Sequence, residues 1–251
     1  NNLAEDLEII TKCMREDFKL RPEEDGARMI GNVTIEERNR RGEWMRINCR
    51  DDVGDSGYGL PYNVEPEKIR LIDEDIDYIM AIETGGMFDR LVENGFDEDS
   101  RCALIHLKGQ PARSTRRMIK RMSEAWNKPV MVFADCDPWS FRIFASIAYG
   151  AIKTAHISEY LATTGAEYLG ITADDIGAYD LPSDDLTPKD IEALKAELSD
   201  PRFSTGIWQN QINQMLKEGK KAEQQSLAKY GLDYVTDEYL PEKLAEFGLG
   251  G

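Results

Sequence analysis

The stretch from Pro129 to Trp139, Pro-Val-Met-Val-Phe-Ala-Asp-Cys-Asp-Pro-Trp, constrains this chain more than any other. Val130 to Phe133 is a short apolar run that follows a proline and ends in acids, which reads as a buried strand of a parallel sheet. Side chains at i and i+2 of an extended segment share a face, so Asp135 and Asp137 are expected side by side at the strand's carboxyl end. In open α/β sheets that edge is where ligands bind. Two acids so close repel unless a cation lies between them, and one or two carboxylates with substrate phosphate oxygens are the usual setting for Mg2+. The same aspartates also read as turn formers ahead of Pro138, and the stretch alone does not choose between the two.

At 251 residues the chain can hold one large or two modest domains with a proper core. No run approaches a membrane span and no signal-peptide pattern is present, so a cytoplasmic protein without membrane contact is expected. Cys13, Cys49, Cys102 and Cys136 are widely separated and read as reduced core or edge thiols. Without cysteine partners the two histidines do not suggest zinc, and His106, inside an apolar run, reads as a core or interface residue. A formal net charge of −16 opposes indiscriminate nucleic-acid binding, so any DNA contact must be local.

The chain opens in a helical pattern with Leu3, Leu7, Ile10, Met14 and Phe18 on one face. A helix beginning without a preceding cap suggests a piece of a longer protein. Pro22 is expected to close this region, with a turn at Glu23-Glu24-Asp25-Gly26. Met29 to Ile35 and Trp44 to Cys49 flank Asn39-Arg40-Arg41-Gly42 as a hairpin. Asp51 to Gly59 reads as a mobile loop, because no strand-loop-helix context supports a phosphate cradle there.

From Ile76 the pattern alternates between strand and helix. Tyr78 to Ile82 is a strand ending at Glu83, followed by Thr84-Gly85-Gly86 and a helix through Met87, Phe88, Leu91 and Val92. Glu83 thus lies on the same edge as Asp135 and Asp137. Ala103 to Leu107 is the next strand, and on the helix after it Arg113, Arg116, Arg117, Lys120 and Arg121 share one face. Such a face is often merely solvated, but beside a candidate Mg2+ site in an acidic chain we expect it to meet DNA phosphates. A helix is expected from about Trp139 to Tyr149, apolar pieces at Tyr160 to Leu161 and Tyr168 to Ile171, and a helix opening at Thr172. Further helices are expected after Thr187-Pro188, at Gly206 to Leu216, at Lys221 to Lys229 and at Asp237 to Phe247, with Pro241 as a candidate start for the last.

A Glu after the first strand of a small α/β sheet and Asp-x-Asp after a later strand, with a strand and a basic helix between, is the arrangement of the Toprim domain. The local words are more specific. Ala-Ile-Glu-Thr-Gly-Gly-Met-Phe at 81–88, Pro-Ala-Arg-Ser-Thr-Arg-Arg at 111–117, Ala-Asp-Cys-Asp-Pro-Trp at 134–139 and Ala-Glu-Gln-Gln-Ser-Leu-Ala-Lys-Tyr-Gly-Leu at 222–232 resemble the A-subunit family of archaeal type VI DNA topoisomerases. The resemblance runs from the Pro-Glu-Glu-Asp-Gly segment at 22–26 to near the C-terminus and extends to the meiotic protein that makes programmed double-strand breaks.

The resemblance implies an α/β Toprim fold, a Rossmann-like parallel sheet flanked by helices. It divides the chain into 1–70, an N-terminal helix, hairpin and Gly-rich loop, and 71–251, a Toprim domain with its core at about 76–172 and a helical extension at 173–251. It implies a type IIB topoisomerase, in which a tyrosine attacks each DNA strand to give 5′-phosphotyrosyl links and a transient double-strand break. Carried over, Glu83, Asp135 and Asp137 bind Mg2+, and Glu83 is a candidate for proton exchange with the departing oxygen. Arg113, Arg116, Arg117, Lys120 and Arg121 are the corresponding DNA-binding candidates. The family's nucleophilic tyrosine lies in an upstream winged-helix domain with no equivalent motif here, so this stretch alone is expected to bind Mg2+ and DNA weakly and to cleave nothing. Tyr58, Tyr78, Tyr149 and Tyr160 read as packing. The implied partners are double-stranded DNA, a second A subunit in a homodimer, plus a separate ATPase B subunit in an A2B2 heterotetramer associated with the nucleoid. The alternatives are a metal-dependent Toprim nuclease and a non-catalytic module that dimerises and clamps DNA.

Overall fold

Strand β1 (Arg28–Ile30) begins the described part of the core, followed by β2 (Val33–Arg38), β3 (Trp44–Asn48), β4 (Tyr58–Gly59), β5 (Ile69–Glu74) and β6 (Tyr78–Ile82). Then come β7 (Cys102–His106), β8 (Val130–Phe133) and β9 (Glu167–Gly170). The computed structural model describes residues 2–15, 17–18 and 27–250. The expected stop at Pro22 and turn at 23–26 lie outside them.

β6, β7 and β8 are buried at every position, which is why their sequences are unbroken apolar runs: both sheet faces are covered and no face needs polar residues. Together with β9 they form a parallel sheet whose full order is β4-β1-β7-β6-β8-β9. Pairing of Ile82 with His106 and Phe133, and of Phe133 with Gly170, aligns the carboxyl ends along one edge. The residues just past that edge are therefore neighbours by construction.

The run expected as one strand from Met29 to Ile35 is divided at Gly31. β1 joins the large sheet antiparallel to β7, whereas β2 pairs with β3 and β5 in a separate three-stranded sheet. A Cβ at Gly31 would lie 2.7 Å from Ala103 Cα and 2.8 Å from the Cys102 carbonyl oxygen, so the chain crosses β7 where a side chain cannot fit. The β2–β3 hairpin itself forms as expected, with Arg38 opposite Trp44. Tyr58 and Gly59, expected in a loop, add an outer strand on β1.

Helix α1 (Asn2–Thr11) is shorter than its apolar pattern, and Leu3, Ile9 and Ile10 stand exposed. Glu8 is its buried residue, against expectation. α2 (Gly85–Glu93) and α3 (Phe96–Asp99) connect β6 to β7, α4 (Arg113–Trp126) connects β7 to β8, and α5 (Pro138–Ala148) follows β8. α6 (Ser158–Leu161) is a helical turn where an apolar piece was expected. α7 (Ala173–Ala178) and α8 (Pro188–Leu198) start at Thr172 and Thr187, each closing a capping box with the aspartate three residues on. α9 (Gly206–Glu218) ends at Gly219, and a two-stranded ribbon joins β10 (Asp184–Asp185) to β11 (Lys220–Lys221). Lys221 to Lys229 is not an α-helix: after β11 the chain forms a 3-10 turn over Gln224–Tyr230. The last segment begins as π-helix over Val235–Tyr239 and becomes α10 (Leu240–Glu246), with Pro241 in its first turn.

Cys13 is exposed and Cys49, Cys102 and Cys136 are buried, all four as free thiols. His106 is buried, stacks on Phe88 at 5.7 Å between centroids and has Nδ1 3.5 Å from Arg28 Nη2. Burial, reinforced by the Arg28 charge, lowers its pKa to about 4, so it is a neutral core ring.

Candidate metal centre

Glu83 follows β6 at the aligned edge, and its amide donates to the Phe133 carbonyl, extending the β6–β8 pairing by one residue. Asp135 lies two residues past β8, and its amide donates to Glu83 Oε2 at 3.1 Å. Asp137 caps α5, accepting from the Ser140 amide at 2.8 Å through Oδ1. The Ser140 hydroxyl donates to Glu83 Oε2 at 2.7 Å. Asp137 is thus also the turn-forming cap that the alternative reading made it.

Two residues that the sequence reading did not single out hold this arrangement. Ser140, fully buried in the first turn of α5, ties Glu83 to Asp137. Gln224, also fully buried, donates its backbone amide to Asp135 Oδ1 at 2.7 Å and its side-chain amide to the Phe133 carbonyl at 3.0 Å, and accepts from Thr84 at 3.0 Å. A signal for Gln224 did exist, since it stands inside the matched word at 222–232. The Tyr168 hydroxyl adds a 2.5 Å hydrogen bond to the Asp135 carbonyl.

The side-chain carboxylate of each acid takes these hydrogen bonds on one oxygen: Oε2 of Glu83, Oδ1 of Asp135 and Oδ1 of Asp137. The second oxygen of each accepts no protein hydrogen bond among the described residues. Burial, with the Asp137 charge adding to it, raises the Glu83 carboxyl above its ordinary range against the lowering effect of Ser140 and Asp135. Asp135 is pushed up to about 7, first by burial and then, against the Gln224 amide, by the charges of Glu83, Asp137 and Glu223. The edge therefore holds excess negative charge with hard oxygen donors, a donor set that fits a hard divalent cation. Among the described residues, no three His, Cys, Asp or Glu side chains are already gathered around one point for an ion.

The basic side chains of α4 make extensive contacts within the protein. Arg113 is buried and donates to both oxygens of Glu8, at 2.7 and 3.3 Å. Arg116 is buried as well. Arg117 donates to both oxygens of Glu65, at 2.7 and 3.0 Å, and to the Tyr160 carbonyl at 3.2 Å. Lys120 donates to the Ala162 carbonyl at 2.9 Å and pairs with Glu124. Arg121 donates to the Val64 and Ile69 carbonyls. Carbonyls at 64–69 and 160–162 that no sheet satisfies need donors, and long basic side chains reach them. Of the tyrosines, Tyr58 and Tyr78 are buried, whereas Tyr149 and Tyr160 are partly exposed, packing on Phe144 and Arg117.

Residues 78–244 match the family model for the Toprim domain of Spo11 and the topoisomerase 6 A subunit, and residues 23–75 match the one described as All-beta domain in DNA topoisomerase VI alpha subunit. The chain belongs to the topoisomerase 6 A-subunit family. It is 58% identical over 249 residues to the A subunit of type 2 DNA topoisomerase 6 from Archaeoglobus fulgidus, with the alignment covering 99% of this chain and 68% of that protein. The proteins of the same name from Natronomonas pharaonis and Methanosarcina mazei are each 56% identical over 249 residues, covering 99% of this chain and 67% of theirs. Membership in this type 2 topoisomerase family confirms the expected resemblance and the Toprim fold of the sheet described above. Among the described residues no helix is long and apolar enough to cross a membrane.

Proposed function

We propose that this chain supplies the Mg2+-binding part of the DNA-cleaving centre in the A subunit of a type IIB topoisomerase, with Glu83, Asp135 and Asp137 as the metal-binding residues. The observation that carries this reading is the common pattern of the three acids: one oxygen of each is anchored, and the other carries no protein hydrogen bond among the described residues. Anchoring restricts the carboxylates before any ligand arrives, which lowers the ordering cost of binding. When bound, Mg2+ supplies charge neutralisation at a scissile phosphate and at its departing 3′-oxygen. Glu83, whose carboxyl is raised by burial, is the residue assigned to hold or return a proton at that oxygen.

The substrate in this reading is double-stranded DNA, opened by transient double-strand breaks through 5′-phosphotyrosyl links in an ATP-dependent cycle, in the cytoplasm on the nucleoid. The partners are a second A subunit, plus an ATPase B subunit to complete an A2B2 assembly. The division into an N-terminal segment at 1–70 and a Toprim unit at 71–251 belongs to the same proposal, although β5 runs across that point.

The test is Mg2+ titration calorimetry of the Asp135→Asn, Asp137→Asn double variant. Asn caps helices as well as Asp does, so α5 keeps its start and thermal stability should change little. Loss of Mg2+ binding is expected, and retention of it would remove the site assignment. Cleavage of supercoiled DNA by the complete A and B subunits should leave protein on 5′ ends. Free nicks without protein would favour the nuclease reading.

A further inference from the structure

Helix α5 is buried along nearly its whole length, and its two outward positions are Trp139 and Arg142, three residues apart on one face. Trp139 is 47% exposed although a tryptophan gains more from burial than most side chains. It directly precedes Ser140, the residue that ties Glu83 to Asp137, so its backbone is fixed relative to the acids. Its ring is held too: the Arg142 guanidinium lies 4.9 Å from the ring centroid.

Arg142 is fixed in turn from below. Its Nε donates to Glu197 Oε1 at 2.9 Å and its Nη2 to the Ala193 carbonyl at 3.4 Å, both on α8. Glu197 is almost wholly buried, and its Oε2 has no hydrogen-bond partner among the described residues; burial raises its carboxyl to about 8 against the lowering effect of Arg142, so it holds Arg142 chiefly as a hydrogen-bond acceptor. Nη1 of Arg142 makes no protein hydrogen bond among the described residues, and the side chain is 35% exposed. A buried acid, a half-exposed guanidinium and an exposed indole therefore form a rigid stack beside three carboxylates that would repel a phosphate backbone. On α4, Arg113, Arg117, Lys120 and Arg121 already hold protein acceptors.

We infer that Trp139 and Arg142 are DNA-contacting residues of this centre, the Arg142 Nη1 group taking a backbone phosphate and the Trp139 ring packing on an adjacent sugar or splayed base. The inference rests on the reading of the neighbouring acids as a metal centre. Glu197 is a positioning residue that acts through Arg142. An aromatic face next to a guanidinium is sequence-tolerant, as a contact that follows the backbone must be.

The experiment is fluorescence anisotropy of a short labelled DNA duplex in Mg2+ across a salt series, with sedimentation velocity on the same proteins. Trp139→Ala should weaken binding roughly tenfold with an unchanged salt slope, and Trp139→Phe should recover most of the loss. Arg142→Gln alone would leave the buried Glu197 without its donor, so it is combined with Glu197→Gln; the pair should lower the slope of log K against log salt by about 0.9, the loss of one phosphate contact. Arg142→Lys should keep the slope. Wild-type affinity in Trp139→Ala, or an unchanged slope in the Arg142 pair, overturns the inference. So does weakening of Trp139→Ala that follows dissociation into monomers, which would assign the indole to a second copy of the chain. The Asp135→Asn, Asp137→Asn protein separates the two readings: if it still binds Mg2+, the metal assignment fails, whereas the Trp139 and Arg142 results decide the DNA contact on their own.

Discussion

Ser140 donates its hydroxyl hydrogen to Glu83 Oε2 at 2.7 Å, joining residues 57 positions apart, while its amide holds Asp137 at 2.8 Å. One small side chain thereby sets the spacing between acids that follow different strands. Ser140→Ala keeps the amide and the helix cap but leaves Glu83 Oε2 held by the Asp135 amide alone among the described residues, a looser anchor. Outer-shell partners of metal ligands typically contribute 10- to 100-fold in affinity, so Mg2+ binding should weaken by about that factor while the melting temperature moves little. Calorimetry gives the answer, and wild-type affinity would show that Ser140 is a packing residue alone.

How much of this was legible beforehand follows from the range of each interaction. β6 and β8 were readable to the residue, because strands buried on both faces need no polar alternation and announce themselves as apolar runs. Thr172 and Thr187 were readable because a cap is a local hydrogen bond. The α4 spacing correctly placed five basic residues on one face, but periodicity says nothing about what covers a face, and here segments at 64–69 and 160–162 do. Ser140 escaped for a related reason, since a lone polar residue carries no local mark of a partner 57 positions away, and the matched word at 222–232 marked the segment of Gln224 without naming its partner 91 positions away.

Glu8 ties α1 to the body of the protein. Its side chain is fully buried and accepts from Arg15 and Arg113, with His156 Nε2 3.2 Å away. Burial alone would raise its pKa, but the Arg15 and Arg113 hydrogen bonds outweigh that and hold it down at about 2. Glu8→Gln would remove the carboxylate at the centre of this buried cluster, a cost of about 3–5 kcal/mol unless structure gives way. The exposed apolar face of α1 offers little resistance, so release of Asn2–Thr11 is the expected relief. Hydrogen exchange should show fast amides there and protection elsewhere. Because the folded-state pKa is depressed, the wild-type contribution is complete above the ordinary value of 4.5 and is lost as pH falls towards about 2. Docking of α1 that is as firm in Glu8→Gln as in the wild type would discount the cluster.

Arg117, Lys120 and Arg121 hold the chain at 64–69 and 160–162 through their hydrogen bonds. Replacing all three by Gln should lower stability by a few kcal/mol, since each substitution leaves a carbonyl or the Glu65 carboxylate without its donor. The salt slope of DNA binding should stay as in the wild type, measured where the variant is still folded. A slope reduced by 2 to 3, about 0.9 for each lost phosphate contact, would return this face to nucleic-acid binding.

Gly31 determines whether the N-terminal strands share the large sheet at all. Its missing Cβ would sit 2.7 Å from Ala103 Cα and 2.8 Å from the Cys102 carbonyl oxygen, both backbone atoms of a central strand that cannot turn aside. β1 must therefore retreat from β7 in Gly31→Ala, and β4, which pairs with β1, moves with it. Forcing atoms into a packed interior costs about 1–3 kcal/mol, and loss of the three-residue β1–β7 pairing adds to that. Gly54→Ala is the matched control, because a Cβ there meets nothing within 4 Å and should shift stability by no more than about 0.5 kcal/mol. Urea denaturation of the two variants side by side measures the difference. Equal midpoints would mean that β1 is held by something other than its close passage over β7.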